Sequence, residues 1–185
     1  MRTTALILAL GASALLTVGC ASKEEPATRV INSAQTAIDE TRPDAEKFAP
    51  EQLQAADASL ATAKQDYANE KYQAVIDAAP KLNEQVISMR DSVVATQTAM
   101  AAATHEWEEL SEEVPKLVQA IEVRVGSLSG TKQQAAKVEL ETMKATWQEA
   151  AAAFSAGKPL EAADKARVVE VKAKEVSEQL GISPA

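Results

Sequence analysis

The sequence predicts an all-α protein, an elongated antiparallel bundle of long, heptad-patterned helices that includes two related helical hairpins. Three observations carry this. Apolar residues make up 46% of the 185 positions but aromatics only 3%, so alanine supplies much of the apolar count. Alanine is the best helix former and contributes little on burial, which suits thin helix-on-helix contacts better than a thick core. No glycine stands between Cys20 and Val125, which removes the commonest turn residue from more than half of the chain. Finally, Leu82, Val86, Met89, Val93, Thr96, Met100, Ala103, Trp107, Leu110, Val114, Leu117 and Ile121 alternate steps of four and three. A sustained 3.5-residue period is the pattern of left-handed helix packing.

Taken in order, Ala21–Pro26 is polar and unpatterned and reads as a short tether. Val30, Ile31, Ala34, Ala37 and Ile38 recur at helical spacing and predict a first helix over Ala27–Thr41. Pro43 biases Arg42 away from the helical region and should interrupt it there. Phe48 is expected in a connector, plugging the end of the bundle. Pro50 opens a second helix where its missing N–H costs nothing, and Leu53, Ala56, Leu60, Ala63 and Tyr67 line one face. A third helix begins near Lys71 and meets Pro80, which either kinks it or marks a restart. The long seam follows, with Pro115 posing the same choice.

Gly126–Gly130 is the clearest loop. Thr131 is placed to cap the next helix, whose seam is Ala136, Leu140, Met143, Trp147, Ala150 and Phe154. Ser155–Pro159 turns the chain into a last helix that buries Ala162, Ala166, Val169, Ala173, Val176 and Leu180. Gly181 then serves as a left-handed cap, with Ile182 folding back on the last turn.

Beneath this lies a repeat. Shifting by 87 residues lays Leu53 on Leu140, Leu60 on Trp147, Ala63 on Ala150, Tyr67 on Phe154, Lys71 on Lys158 and Asp77 on Asp164. The turn Phe154-Ser-Ala-Gly-Lys-Pro-Leu-Glu-Ala-Ala resembles those of tetratricopeptide-type hairpins, although the consecutive 34-residue array of that family is missing.

At the start, Arg2, the apolar run Ala5–Leu16 and the small residues before Cys20 have the order of a secretory signal, too short for an ordinary membrane span. Ending it on Gly19-Cys20 resembles the lipobox of bacterial lipoproteins, with Thr17 where that family prefers leucine. With the hairpins, the whole chain resembles uncharacterised bacterial lipoproteins built from helical hairpins of a domain of unknown function. The resemblance implies acylation of Cys20 as the first mature residue, and Ala21 after it, rather than aspartate, implies the outer membrane, with the protein facing the periplasm. The organisation expected is therefore a signal peptide at 1–19, an acylated cysteine and tether at 20–26, and one helical domain at 27–185. That domain comprises a hairpin near 50–80, long middle helices near 81–128 and a hairpin near 131–181.

Charge narrows the partners. From Cys20 onward the chain has 18 basic and 27 acidic residues. Such a surface repels phosphate backbones, so nucleic acid is not an expected partner, and it lacks the clustered lysines and arginines of a helix lying on anionic lipid. Cys20 is the one cysteine, which leaves no disulfide within the chain.

A search for chemistry finds little. His105 is the sole histidine, no Glu precedes it by three residues, and a bundle metal site needs several imidazoles or paired Glu-x-x-His motifs. No serine or threonine has a histidine base in reach by motif, and phosphate-binding glycine loops are absent. No cofactor, metal or small-molecule substrate is therefore expected. Glu106, Glu109 and Glu113 share a helix face and form the candidate partner surface. Trp107 and Trp147 occupy seam positions, where packing between helices accounts for them first. The function expected is that of a non-enzymatic envelope lipoprotein with a structural or adaptor role, tethered to the membrane through lipid on Cys20, with an envelope protein as its candidate partner. The alternative is a periplasmic binding module or chaperone that holds an apolar peptide or lipid between helices, near Met100, Met143, Trp107 and Trp147.

Overall fold

A computed structural model describes residues 22–182. The signal peptide expected at 1–19, Cys20 and Ala21 lie outside them, as do residues 183–185. The described chain is an all-α bundle of five helices with no strand: α1 (Glu24–Phe48), α2 (Pro50–Ala68), α3 (Tyr72–Gly126), α4 (Gly130–Ser155) and α5 (Pro159–Gln179).

Several boundaries differ from expectation, for identifiable reasons. The polar tether is shorter than Cys20–Pro26, because α1 begins at Glu24, with two acidic residues in the first turn where the helix dipole favours them. Nor does α1 stop at Thr41. It runs through Pro43 to Phe48, with Ala34, Ile38 and Ala45 on one buried face. Pro80 and Pro115 likewise lie inside α3, a continuous helix of 55 residues with no restart at either. An interior proline removes one hydrogen bond and costs about 3 kcal/mol or more. All three prolines are on the exposed side of their helices, where water can take the carbonyl they leave unbonded, and the buried faces on either side hold the helix together.

Ser129, not Thr131, holds the N-cap position of α4, and it makes no side-chain capping bond. Phe48 is the last residue of α1 and packs against the core there, its carbonyl accepting a hydrogen bond from Thr96 Oγ1 at 3.0 Å. The end of α5 follows the predicted form. Gly181 has φ +66°, its N–H bonds Glu178 O at 3.1 Å, and Ile182 N–H bonds Ser177 O at 2.8 Å while Ile182 packs on the core. This is a Schellman cap.

The stretch expected as one helical domain buries its side chains in two separate cores. Ile38, Leu60, Val75, Leu82 and Met89 belong to the first, built by α1, α2 and the first half of α3. Trp107, Val114, Ile121, Met143 and Val169 belong to the second, built by the last half of α3 with α4 and α5. Neither α1 nor α2 touches α4 or α5. Between Val93 and Ala103 no residue of α3 is fully buried, so about 15 Å of it joins the two cores, touched at Thr96 by the end of α1. The seam also slips there: Thr96, Met100 and Leu117 are only half-buried, and Val118, with Val125 after it, takes the buried place beyond Val114.

The repeat extends further than the hairpins. At the 87-residue shift, Leu53, Ala56, Ala63, Val75, Leu82, Val86 and Met89 fall on Leu140, Met143, Ala150, Ala162, Val169, Ala173 and Val176, all of them buried. At a shift of 80, Ala27, Ala34, Ile38 and Ala45 of α1 fall on Trp107, Val114, Val118 and Val125, buried as well. The two shifts differ by one heptad, and α4 has 26 residues where α2 has 19. Each unit is thus a three-helix bundle of the same order. The third helix of the first continues, without a break, as the first helix of the second.

Candidate functional site

Seam spacing brings the large aromatics of the second unit together. Trp107 projects from α3, and Trp147 and Phe154, two turns apart on one face of α4, both meet it. The Trp107 ring stacks on Trp147 at 5.2 Å between centroids and 15° between planes, and on Phe154 at 5.1 Å and 18°. Trp107 is 8% exposed, while Trp147 and Phe154 are half-buried against the same core. Each stacked pair is worth about 0.5–1.5 kcal/mol beyond the area it buries. The stack lies at the end of the second unit nearest the segment of α3 between Val93 and Ala103, and packing between α3 and α4 engages the Trp107 ring twice. Met143 is buried in the same core.

The three carboxylates of the candidate partner surface are not equivalent. Glu106 is clamped by Arg167 of α5 in a two-pronged pair, Nε to Oε1 at 2.8 Å and Nη2 to Oε2 at 2.7 Å. Arg167 also bonds Asp164 at 3.1 Å. The hydrogen bonds from Arg167 hold the Glu106 carboxyl below its usual range, against a smaller opposing effect of burial. Glu109 is exposed and stands 3.6 Å from His105 Nδ1, itself exposed. Glu113 is exposed as well. Of the three, Glu109 and Glu113 remain exposed, and Glu106 is committed to the α3–α5 contact. Among the described residues no cluster of three or more His, Cys, Asp or Glu could hold a metal ion. Cys20 lies outside the described residues.

Some features were hidden from sequence reasoning because they join distant positions. In the first unit, Arg42 clamps Asp57 with bonds of 2.9 and 2.7 Å, which lowers the Asp57 carboxyl in the same way. At the outer end of that unit the Tyr67 and Tyr72 rings meet edge-on at 5.2 Å. The Tyr67 hydroxyl accepts from Thr28 Oγ1 at 3.0 Å and donates to Glu24 Oε1 at 3.3 Å. Between α1 and α3 a shallow open groove is lined by Val30, Ser33, Ala34, Ala37, Ala79 and Leu82. In the second unit the places of Ala34 and Ala37 are taken by the larger Val114 and Leu117. Comparing the α1 and α3 sequences at the 80-residue shift would have found that groove.

No described helix is long and apolar enough to cross a membrane. Compared with protein-family models, curated proteins and solved structures, the chain matches none.

Proposed function

We propose that this protein is a non-enzymatic envelope lipoprotein with a structural or adaptor role, acylated on Cys20 and displayed in the periplasm from the outer membrane. The observation that carries the reading is α3. One helix of 55 residues, about 80 Å long, serves two three-helix units in series, which is the form of a spacer that holds two surfaces apart. The packed aromatic stack adds support, since it gives Trp107 and Trp147 a packing role between α3 and α4. Several acyl chains, at about 0.8 kcal/mol per buried CH₂, would make the anchor effectively permanent.

Radiolabelled palmitate and membrane flotation test the anchor. The wild type should take up label and float with outer-membrane fractions, and Cys20→Ala should do neither. A Cys20→Ala protein that is processed, labelled and membrane-bound as before would refute the reading.

A second reading, a module that binds an apolar peptide or lipid, is favoured by one observation, the groove of small residues between α1 and α3. Its test is separate. A groove binder should copurify with a ligand in native mass spectrometry and lose it in Ala37→Leu, whereas a spacer should carry none.

A further inference from the structure

We infer that the Tyr67–Tyr72 turn is a membrane-contact surface, and that the protein stands end-on upon lipid headgroups with its second unit held away from them. This rests on the acylation of Cys20 proposed above. Lys23 caps α1, and a chain of three residues from Cys20 to Lys23 reaches at most about 11 Å, whatever path it takes. An acyl group on Cys20 therefore keeps the start of α1 at the bilayer surface.

The ends that share that level follow from the contacts. Thr28 and Glu24 of α1 bond the Tyr67 hydroxyl near the end of α2, and Tyr72, the first residue of α3, packs on the Tyr67 ring. The start of α1, the end of α2 and the start of α3 thus meet at one end. From there α3 runs alongside α1, since Thr41 bonds Arg90 and Phe48 bonds Thr96, and then leaves the first unit behind.

The repeat shows what is special about this end. At the 87-residue shift Tyr67 and Tyr72 fall on Phe154 and Pro159, so the corresponding turn of the second unit carries no phenolic hydroxyl. Tyrosine, with an apolar ring and a polar tip, is the residue type enriched where a protein meets the membrane–water interface. Charge then selects the lipid. Lys23 and Lys71 stand at this end with Glu24, Glu25, Asp66 and Glu70, an excess of carboxylates that fits a zwitterionic headgroup layer better than an anionic one.

Spin labelling of the acylated protein in zwitterionic vesicles tests this, because acylation leaves no free thiol in the wild-type chain. A nitroxide is placed on Asn69→Cys, at the tip of the turn, and in a separate protein on Gln134→Cys, near the far end of the second unit; both sites are exposed. Ala74→Cys, exposed within the first turn of α3, replaces Asn69→Cys if the turn does not tolerate the change. Nickel chelated to lipid headgroups should enhance relaxation at Asn69 or Ala74 and leave Gln134 at the level of nickel-free vesicles. Equal enhancement at both ends, as for a protein lying flat, or enhancement at Gln134 alone, would overturn the proposal. A protein that carries no acyl group and does not float with the vesicles would overturn the anchor itself, and the orientation with it.

Discussion

Glu70 and Gly157 occupy the same place in the two units, and substituting each gives a sharp test of the repeat. Glu70 has φ +58° and Gly157 φ +75°, each one residue beyond the helix cap. Their N–H groups bond Tyr67 O and Phe154 O at 2.9 Å, and the following Lys71 and Lys158 N–H groups bond Asp66 O and Ala153 O at 2.9 and 3.0 Å. Both turns are Schellman caps, and only the second has the glycine such a cap favours. A side chain in the left-handed region costs about 1–2 kcal/mol, and glycine gives back about 0.4–1 kcal/mol through the freedom of the unfolded chain. Glu70→Gly should therefore stabilise the first unit by about 0.5–1 kcal/mol. Gly157→Ala should destabilise the second by the same amount, since a Cβ there meets nothing within 4 Å and the whole cost is backbone strain. At a urea slope of about 1 kcal/mol per molar, each change moves a midpoint by about half to one molar. The aromatics assign the change to its unit. Both tryptophans, Trp107 and Trp147, lie in the second unit, and both tyrosines, Tyr67 and Tyr72, in the first. Tryptophan fluorescence follows the second unit and far-ultraviolet dichroism follows both. A Glu70→Gly midpoint that falls or stays put, or a Gly157→Ala change absent from the tryptophan signal, would refute the reasoning.

Other expectations follow from the same packing. Trp107→Ala removes the middle of the aromatic stack and should cost about 3–5 kcal/mol in the second unit, read by thermal melting, whereas Trp147→Leu should cost much less because Leu60 stands at the equivalent place. Ser177 is 6% exposed and its Oγ has no hydrogen-bond partner among the described residues, so Ser177→Ala should raise stability by about 1 kcal/mol in chemical denaturation. The lowered carboxyls of Glu106 and Asp57 contribute stability that is full above their unfolded values and lost as pH falls through their folded ones. Glu106→Gln should therefore flatten the acid side of the tryptophan-detected stability profile, and an unchanged profile would show that the Arg167 clamp contributes nothing.

Local information was legible wherever one face of one helix decided the outcome. The buried face of α2 and most of that of α5, the turn at Gly157 and the cap at Gly181 were readable because apolar spacing and glycine act within a few residues, whereas the burial of Ala163 and Ser177 and the half-exposure of Leu180 were not. Arg167 was not readable as the partner of Glu106, since 61 residues separate them and nothing in either helix reports which neighbour it will meet. The prolines misled for a related reason. Pro43 is a local stop signal, and the burial of Ile38 and Ala45 on either side of it comes from α2 and α3.

By itself, then, the sequence determined that the chain would be helical, which face of most helices would be buried, and that a hairpin recurs at 87 residues, because periodicity and propensity are written in adjacent positions. Only the tertiary structure decided that α3 passes Pro80 and Pro115 unbroken, that α1 completes the first copy of a three-helix repeat, and that the burial divides into two cores. A heptad seam states that a face needs a partner but carries no address for it. Val93 and Ala103 look alike along the seam, and they belong to different cores because α1 ends and α2 begins beside the first while α4 and α5 gather around the second.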